Sequence, residues 1–439
     1  MGVKLLIVCA LALVMTIPAL FVDNLVDDRT HRASDVVKEI SSHVGGRQTF
    51  LGPTLAVPYD IPAQSSAFNA KHGTYLVFPS QASATVKTRA EEKRRSLFKV
   101  PVFQADLNFE AGFDLNGVPA AAPQGAVLDW SRAEFIVGVT DARGAISDGS
   151  LTIGGKTLPL SPAETAENFS LGSDAAQQLK LKLFGARPGS VQPASHFNVT
   201  AAMRFSGAQR IALLAYGKTT RLTMQGDWPD PSFDGGFLPV SDNISPSGFT
   251  ADWNVPFIAR GVRAEGVGDA LTGLDATSLG VSFVELADPY QSVTRSLKYV
   301  LLFLGLLFLS YFVFEVTTGK RVHPAQYVLV GIAQIIFYLL LLSLAERIGF
   351  DFGFLIAGAA TVTLLSANAG WIFASRVQAF RAFIVFTLLY TLIYLLLRLE
   401  DNALLVGAIA SFLAVAGAMY FTRSIDWYGS LPETVTPNQ

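Results

Sequence analysis

Apolar residues run almost unbroken through six stretches of this 439-residue chain. One stands alone near the start, at 5–22, and five follow nearly back to back at 297–316, 325–344, 350–374, 379–397 and 403–421. At about 1.5 Å of rise per residue, each of the five can cross a hydrocarbon core of about 30 Å. The short gaps between them predict a compact helical bundle. Between the first run and the bundle the pattern changes. Over 23–44 apolar residues recur at Leu25, Val36, Val37 and Ile40 with charges on the other faces, which predicts a charged helical stem. Gly45 and Gly46, then Gly52 and Pro53, are expected to break it.

From Thr54 onward the signals are those of strands. Runs rich in Val, Phe, Thr and Leu, many of them alternating, occupy 54–59, 75–78, 84–88, 98–109, 133–139, 150–160, 196–205, 211–223 and 280–286. Gly154 with Gly155, and Gly217 with Lys218, read as hairpin turns. An antiparallel sandwich or elongated β-domain follows, with helical segments near 174–183 and 268–274. The expected fold is an α+β membrane protein: a transmembrane anchor at 1–22, a β-rich domain at 23–296, a five-helix transmembrane bundle at 297–423 and a tail at 424–439.

Composition supports this division. Hydrophobic residues make up 51% and charged residues 15% of the chain, against about 25% charged in soluble domains. The net charge is −2, and residues 23–296 hold 24 Lys and Arg against 28 Asp and Glu, so nothing points to nucleic acid. Short-loop cations set the orientation. Lys4, Lys320, Arg321, Arg376, Arg381 and Arg423 all fall on one side, whereas Arg347 and Arg398 on the other are diluted by Glu346, Asp351, Glu400 and Asp401. Both termini are therefore expected in the cytoplasm and residues 23–296 outside, in the periplasm of a Gram-negative cell. The first run lacks a small-x-small cleavage site and reads as an uncleaved anchor. Cys9 is the sole cysteine, which excludes an intramolecular disulfide.

The search for chemistry gives few candidates. The five histidines at 31, 43, 72, 196 and 323 have no metal-ligand spacing, and phosphate-loop, nucleophile-elbow and dinucleotide motifs are missing. No cofactor, metal or catalytic residue is expected. Glu91 to Arg95 reads as a solvated strand end. Segment 228–253 is unusual: Trp228, Phe233, Phe237, Phe249 and Trp253 stand among prolines and glycines. Those rings either form a surface for a hydrophobic or peptide partner or pin an irregular loop to the sandwich. In the bundle, Glu346, Glu400 and Asp401 are candidate polar groups at the membrane interface. They either gate a proton or cation, anchor the outer domain, or end hydrated helices. Glu315 and Arg423 are expected near one another. Gln334, Ser366 and Asn368 read as helix–helix hydrogen-bonding groups, and Gly353, Gly358, Ala359, Gly370, Gly407 and Gly417 as close-packing positions.

Gly52-Pro53 followed by Val57-Pro58-Tyr59, then Val100-Pro101-Val102-Phe103-Gln104-Ala105-Asp106, and Trp130-Ser131-Arg132-Ala133-Glu134 with Asp141-Ala142-Arg143-Gly144 give the chain a resemblance to the CreD family that runs along nearly its whole length. It continues through Trp228-Pro229, Pro231-Ser232-Phe233, Phe237-Leu238-Pro239 and Gly248-Phe249-Thr250-Ala251-Asp252-Trp253. In the membrane part it includes Pro289-Tyr290-Gln291, Phe314-Glu315, His323-Pro324, Leu399-Glu400-Asp401 and Asp426-Trp427-Tyr428. Asp230 stands where the family run has a histidine, and His43-Val44 where a tryptophan is common. The resemblance implies an inner-membrane protein of envelope integrity and envelope stress, and it supplies no catalytic residue.

Three function classes follow, in order. The first is a non-enzymatic envelope protein lodged in the lipid bilayer, whose outer domain binds an envelope protein, peptidoglycan or lipid partner. The second is a proton- or ion-coupled transporter. The third is a membrane enzyme, disfavoured by the absent motifs.

Overall fold

The computed structural model describes residues 2–62, 71–95, 98–118, 122–164, 170–171, 179–189, 191–193, 195–267, 273–283, 289–398 and 403–423. The chain divides into two compact units, Met1–Ala33 with Ala287–Gln439, and Ser34–Leu286.

The second unit is β-rich. Its longer strands are β1 (Gln48–Ile61), β2 (Gln81–Arg95), β3 (Phe98–Asp114), β4 (Glu134–Val139), β5 (His196–Ala208), β6 (Arg210–Leu214), β7 (Thr219–Gly226), β8 (Ser241–Ser245), β9 (Gly248–Val255) and β10 (Ser278–Phe283). One sheet runs Pro231–Gly235, β10, β6, β1, β4, Lys182–Ala186, Ser161–Pro162; the other runs β8, β9, β7, β2, β3, β5, Ser150–Ile153, Lys156–Pro159. Strict alternation makes the second sheet one-faced: Ala82, Ala84, Val86 and Thr88 of β2 point inward and their neighbours outward. Ring pairs join the two sheets, with Phe50 on Phe205 at 5.3 Å and Phe113 on Phe135 at 5.3 Å. This is a sandwich with its core between the sheets.

The structure departs from the sequence reading in several places. Two strand pairs are parallel, not antiparallel: β1 with β6 and β2 with β7. Gly52 and Pro53 do not end an element; they lie within β1, at a register shift between Leu51 and Thr54. Gly52 is required there, because a Cβ would stand 2.6 Å from the Tyr216 ring. Gly217 is no hairpin turn. It carries the chain from β6 in one sheet to β7 in the other, so the single expected run 211–223 is two strands. Gly154 and Gly155 do form a hairpin turn, at φ of +56° and +80°. Of the helix expected near 174–183, residues Leu179–Lys180 and Lys182–Ala186 are strands, and 172–178 fall outside the described residues, as do 268–272 of the other expected helix and the tail 424–439.

The first unit is helical. Helices α1 (Gly2–Val14) and α2 (Thr16–Val44) are separated only at Met15. They are followed by α3 (Pro289–Lys298), α4 (Val300–Thr318), α5 (Pro324–Ile348), α6 (Phe350–Phe373), α7 (Arg376–Arg398) and α8 (Ala403–Thr422). The stretch Leu6–Val44 and helices α4 to α7 are long and apolar enough to cross a membrane, and α8 adds 20 residues. His323 caps α5, its ring accepting from the Ala325 N–H at 3.2 Å, and Pro324 takes the first helical position. Small residues allow close approach: a Cβ on Gly353 would lie 2.9 Å from the Ala345 nitrogen, and one on Gly370 2.9 Å from the Ala379 Cβ. Gly417, in contrast, has no atom of another element against it.

Candidate functional site

The aromatic segment of the β-rich unit turns its rings inward. Phe249 and Trp253 lie on β9 at alternate inward positions and are buried. Trp228, Phe233 and Phe237 are half-buried and pack on the same core. Phe233 meets Phe249 and Trp253 edge-on at 6.1 and 5.9 Å, and Trp228 meets Phe283 at 6.0 Å. The Trp253 indole N–H donates to the Phe237 carbonyl at 3.1 Å. The residues this segment shows to solvent are different ones: Leu238, Val240 and Ile244.

Beside Ile244 lies an open cleft of about 420 Å³, with Lys87 and Arg89 of β2, Asp106 of β3, Asp227, and Asn243 and Ser245 of β8 among its walls. Lys87 and Arg89 project to one face because they are two apart on a strand. Asp106 accepts from Arg204 Nε at 2.7 Å, and Asp227 accepts from the Ala90 N–H at 2.7 Å. Both acids are thus engaged, while Lys87 and Arg89 have no ion-pair partner among the described residues. The cleft can receive an anionic or hydroxyl-rich group. Sequence reading passes over it, because nothing local marks β8, β9, β7, β2 and β3 as consecutive strands of one sheet.

In the helical unit, Glu346 is largely shielded. Its carboxylate accepts from the Tyr290 hydroxyl at 3.1 Å, with Arg29 Nη1 at 3.8 Å. The counter-charge is Arg29 of α2 and not the adjacent Arg347. Asp351 is ion-paired with Arg398 and accepts from the Tyr394 hydroxyl at 3.0 Å. Glu400 and Asp401 lie outside the described residues. Glu315 is paired with Lys4 and not with Arg423, whose guanidinium stacks 4.3 Å from the Tyr420 ring. Gln334 accepts from Tyr390 at 2.6 Å and Asn368 donates to Tyr311 at 3.3 Å, both between helices. Ser366 instead donates to Val362 of its own helix. The tyrosines completing these bonds, Tyr311, Tyr327 and Tyr390, were not singled out in the sequence because tyrosine counts as apolar in a hydropathy pattern.

Buried Arg260 completes the inventory. It sits in the single turn Phe257–Arg260, donates to the Ala215 carbonyl at 2.8 Å and lies 4.2 Å from the Phe78 ring centroid. Burial pushes its pKa down to about 10, so it remains a cation at neutral pH.

Comparison with known proteins gives the context of these groups. The profile of the family described as "Inner membrane protein CreD" matches residues 1–428. The "Inner membrane protein CreD" of Escherichia coli (strain K12) is 29% identical over 433 residues, covering 96% of this chain and 92% of the relative. With its β-rich unit and its apolar helices, the chain belongs to the CreD family of inner membrane proteins.

Proposed function

We propose that this inner-membrane protein serves envelope integrity without catalysing a reaction, with both termini cytoplasmic, residues 23–296 periplasmic, and the β-rich unit binding an envelope component. The observation that carries the reading is the outer surface of the sheet that holds β2, β3, β7, β8 and β9. A cleft of about 420 Å³ there holds two uncommitted cations, Lys87 and Arg89. Cations flanked by amide and hydroxyl groups suit an anionic envelope polymer such as peptidoglycan, and the exposed Leu238, Val240 and Ile244, which stand apart from the cleft lining, suit a protein or lipid. Segment 228–253 takes part through its exposed side chains, while Trp228, Phe233, Phe237, Phe249 and Trp253 hold them in place.

The test is complementation of a deletion strain challenged with detergent and a β-lactam. Wild type restores growth, and Lys87→Glu/Arg89→Glu at equal membrane level does not. Full rescue by that variant overturns the cleft reading.

A second reading, an ion- or proton-coupled transporter, is favoured by one observation. Gln334 Nε2 and Tyr338 Oη are buried inside the helical unit, and among the described residues no hydrogen bond of good geometry reaches either atom, a costly state in hydrocarbon unless water or an ion visits. Failure of Gln334→Leu or Glu346→Gln to complement, with the cleft variant active, moves the assignment to this reading.

A further inference from the structure

Helices α6 and α7 are antiparallel neighbours that close tightly at one end and gape at the other. At the closed end a Cβ on Gly370 would stand 2.9 Å from the Ala379 Cβ. Toward the other end, a Cβ on Gly358 would meet Tyr390 across the helix pair at an ordinary 3.5 Å and Phe354 of its own helix at 3.7 Å. Around Gly358 and on toward Asp351 lies an apolar groove of about 590 Å³, with Leu355, Gly358, Ala359 and Thr363 on one wall and Phe383 and Thr387 on the other. Tyr390 forms its floor, with its hydroxyl committed to Gln334 at 2.6 Å.

Two properties of the groove define its occupant. The first is length. From Asp351 to Thr363 the wall covers about 18 Å at 1.5 Å per residue, close to the roughly 15 Å depth of one leaflet's hydrocarbon. It therefore spans a single leaflet. A transmembrane helix, which crosses both leaflets over about 30 Å, does not match this length. The second property is the charge at the mouth. The groove is apolar along its walls, but its open end carries the Asp351–Arg398 ion pair with the Tyr394 hydroxyl on Asp351 at 3.0 Å. The two charged side chains are 48% and 55% exposed, so both can take a further ligand.

We propose that this groove is a lipid site: one acyl chain of a phospholipid lies between α6 and α7, and its zwitterionic head group sits over the mouth. The phosphate meets the Arg398 guanidinium, which offers spare N–H donors, and the head-group ammonium meets Asp351. The leaflet occupied is the one opposite the Lys320, Arg321 and Arg376 end of the bundle. The site is independent of the cleft on the β-rich unit.

Native mass spectrometry of the full chain in mild detergent, titrated with dioleoyl phosphatidylethanolamine and with dioleoylglycerol, tests this. The wild type is expected to bind one phosphatidylethanolamine. Ala359→Phe, which fills the groove from an exposed position, lowers affinity for both lipids about tenfold, and Thr363→Phe, one turn deeper, does the same should the first variant be unstable. Leu405→Phe, on the exposed face of α8, leaves binding unchanged. Arg398→Gln weakens phosphatidylethanolamine alone. Unaltered binding in both groove variants, or equal loss in the Leu405 control, overturns the site. Equal effects of Arg398→Gln on both lipids, or dioleoyl phosphatidylglycerol binding tenfold more tightly than phosphatidylethanolamine, overturns the head-group assignment.

Discussion

The ammonium of Lys4, in the first helix, is ion-paired with the carboxylate of Glu315 near the end of α4. The same carboxylate accepts from the Tyr327 hydroxyl at 3.1 Å, and Lys4 also donates to the Val322 carbonyl at 2.7 Å. Glu315 is buried, and its neutralising partner comes from the far end of the sequence. Lys4 thus ties the N-terminal helix to the bundle.

Removing one member of this pair leaves the other uncompensated. Lys4→Met is expected to destabilise the helical unit by about 3 kcal/mol, read as a lower thermal midpoint of the full chain in detergent. Lys4→Met combined with Glu315→Leu recovers most of the loss. Additive losses in the double variant would argue against coupling between the two.

The sandwich has a comparable tie at Tyr216. Its ring lies on Gly52 of β1, in one sheet, and its hydroxyl lies 2.7 Å from the Ser83 carbonyl and 3.0 Å from that of Glu110, in the other. Desolvation drives its pKa well above the usual phenol range. Tyr216→Phe removes the one hydroxyl proton that these two carbonyls share and should cost about 1–3 kcal/mol. Gly52→Ala should cost more, since the added carbon falls inside the ring. Denaturant midpoints of the full chain measure both.

The aromatic segment makes a separable prediction. Trp253→Ala and Phe249→Ala empty core positions and are expected to cost about 3–5 kcal/mol. Leu238→Ser and Val240→Ser change exposed positions and should shift stability by less than about 0.5 kcal/mol. If the exposed rim binds, the second pair loses complementation while remaining fully folded. Loss of function tracking loss of fold in every variant would assign the segment to structure alone.

Acid stability has a specific contributor in Asp129, which caps the turn Trp130–Arg132. Hydrogen bonds from Ser131, then from Arg132, hold its pKa at about 2, below the ordinary 3.8. The unfolded chain takes up this proton more readily than the folded one. The contribution is therefore complete above about pH 4 and disappears as pH falls through about 2. Asp129→Asn should flatten the unfolding curve across that window, as followed by circular dichroism. A curve unchanged in shape would mean that other carboxylates dominate.

Much of this architecture is legible in the sequence because it rests on local periodicity. The apolar runs gave the helices to within a few residues, and the runs at 84–88 and 196–205 fall within observed strands. What escaped depends on contacts distant in sequence. Parallel pairing of β2 with β7 cannot be seen from either strand, and hydropathy gives Tyr390 no sign that Gln334 will face it. The rings of segment 228–253 were conspicuous by composition, yet it is their pairing with Phe283 and with each other that turns them inward. The cleft arises only across five strands of one sheet, from β8 through β9 and β7 to β2 and β3.

The parallel contact of Gln48, Thr49 and Phe50 with Ile211, Ala212 and Leu213 also sets a schedule. More than 160 residues separate the partners, and at a synthesis rate of about 5–20 residues per second the first strand waits roughly 10–30 s for its neighbour. For that interval Gln48, Thr49 and Phe50 lack their neighbour on that edge, whereas Leu55 to Ile61 farther along it pair with the nearby segment Lys71–Val77. The start of β1 is therefore the part left open longest to misassociation.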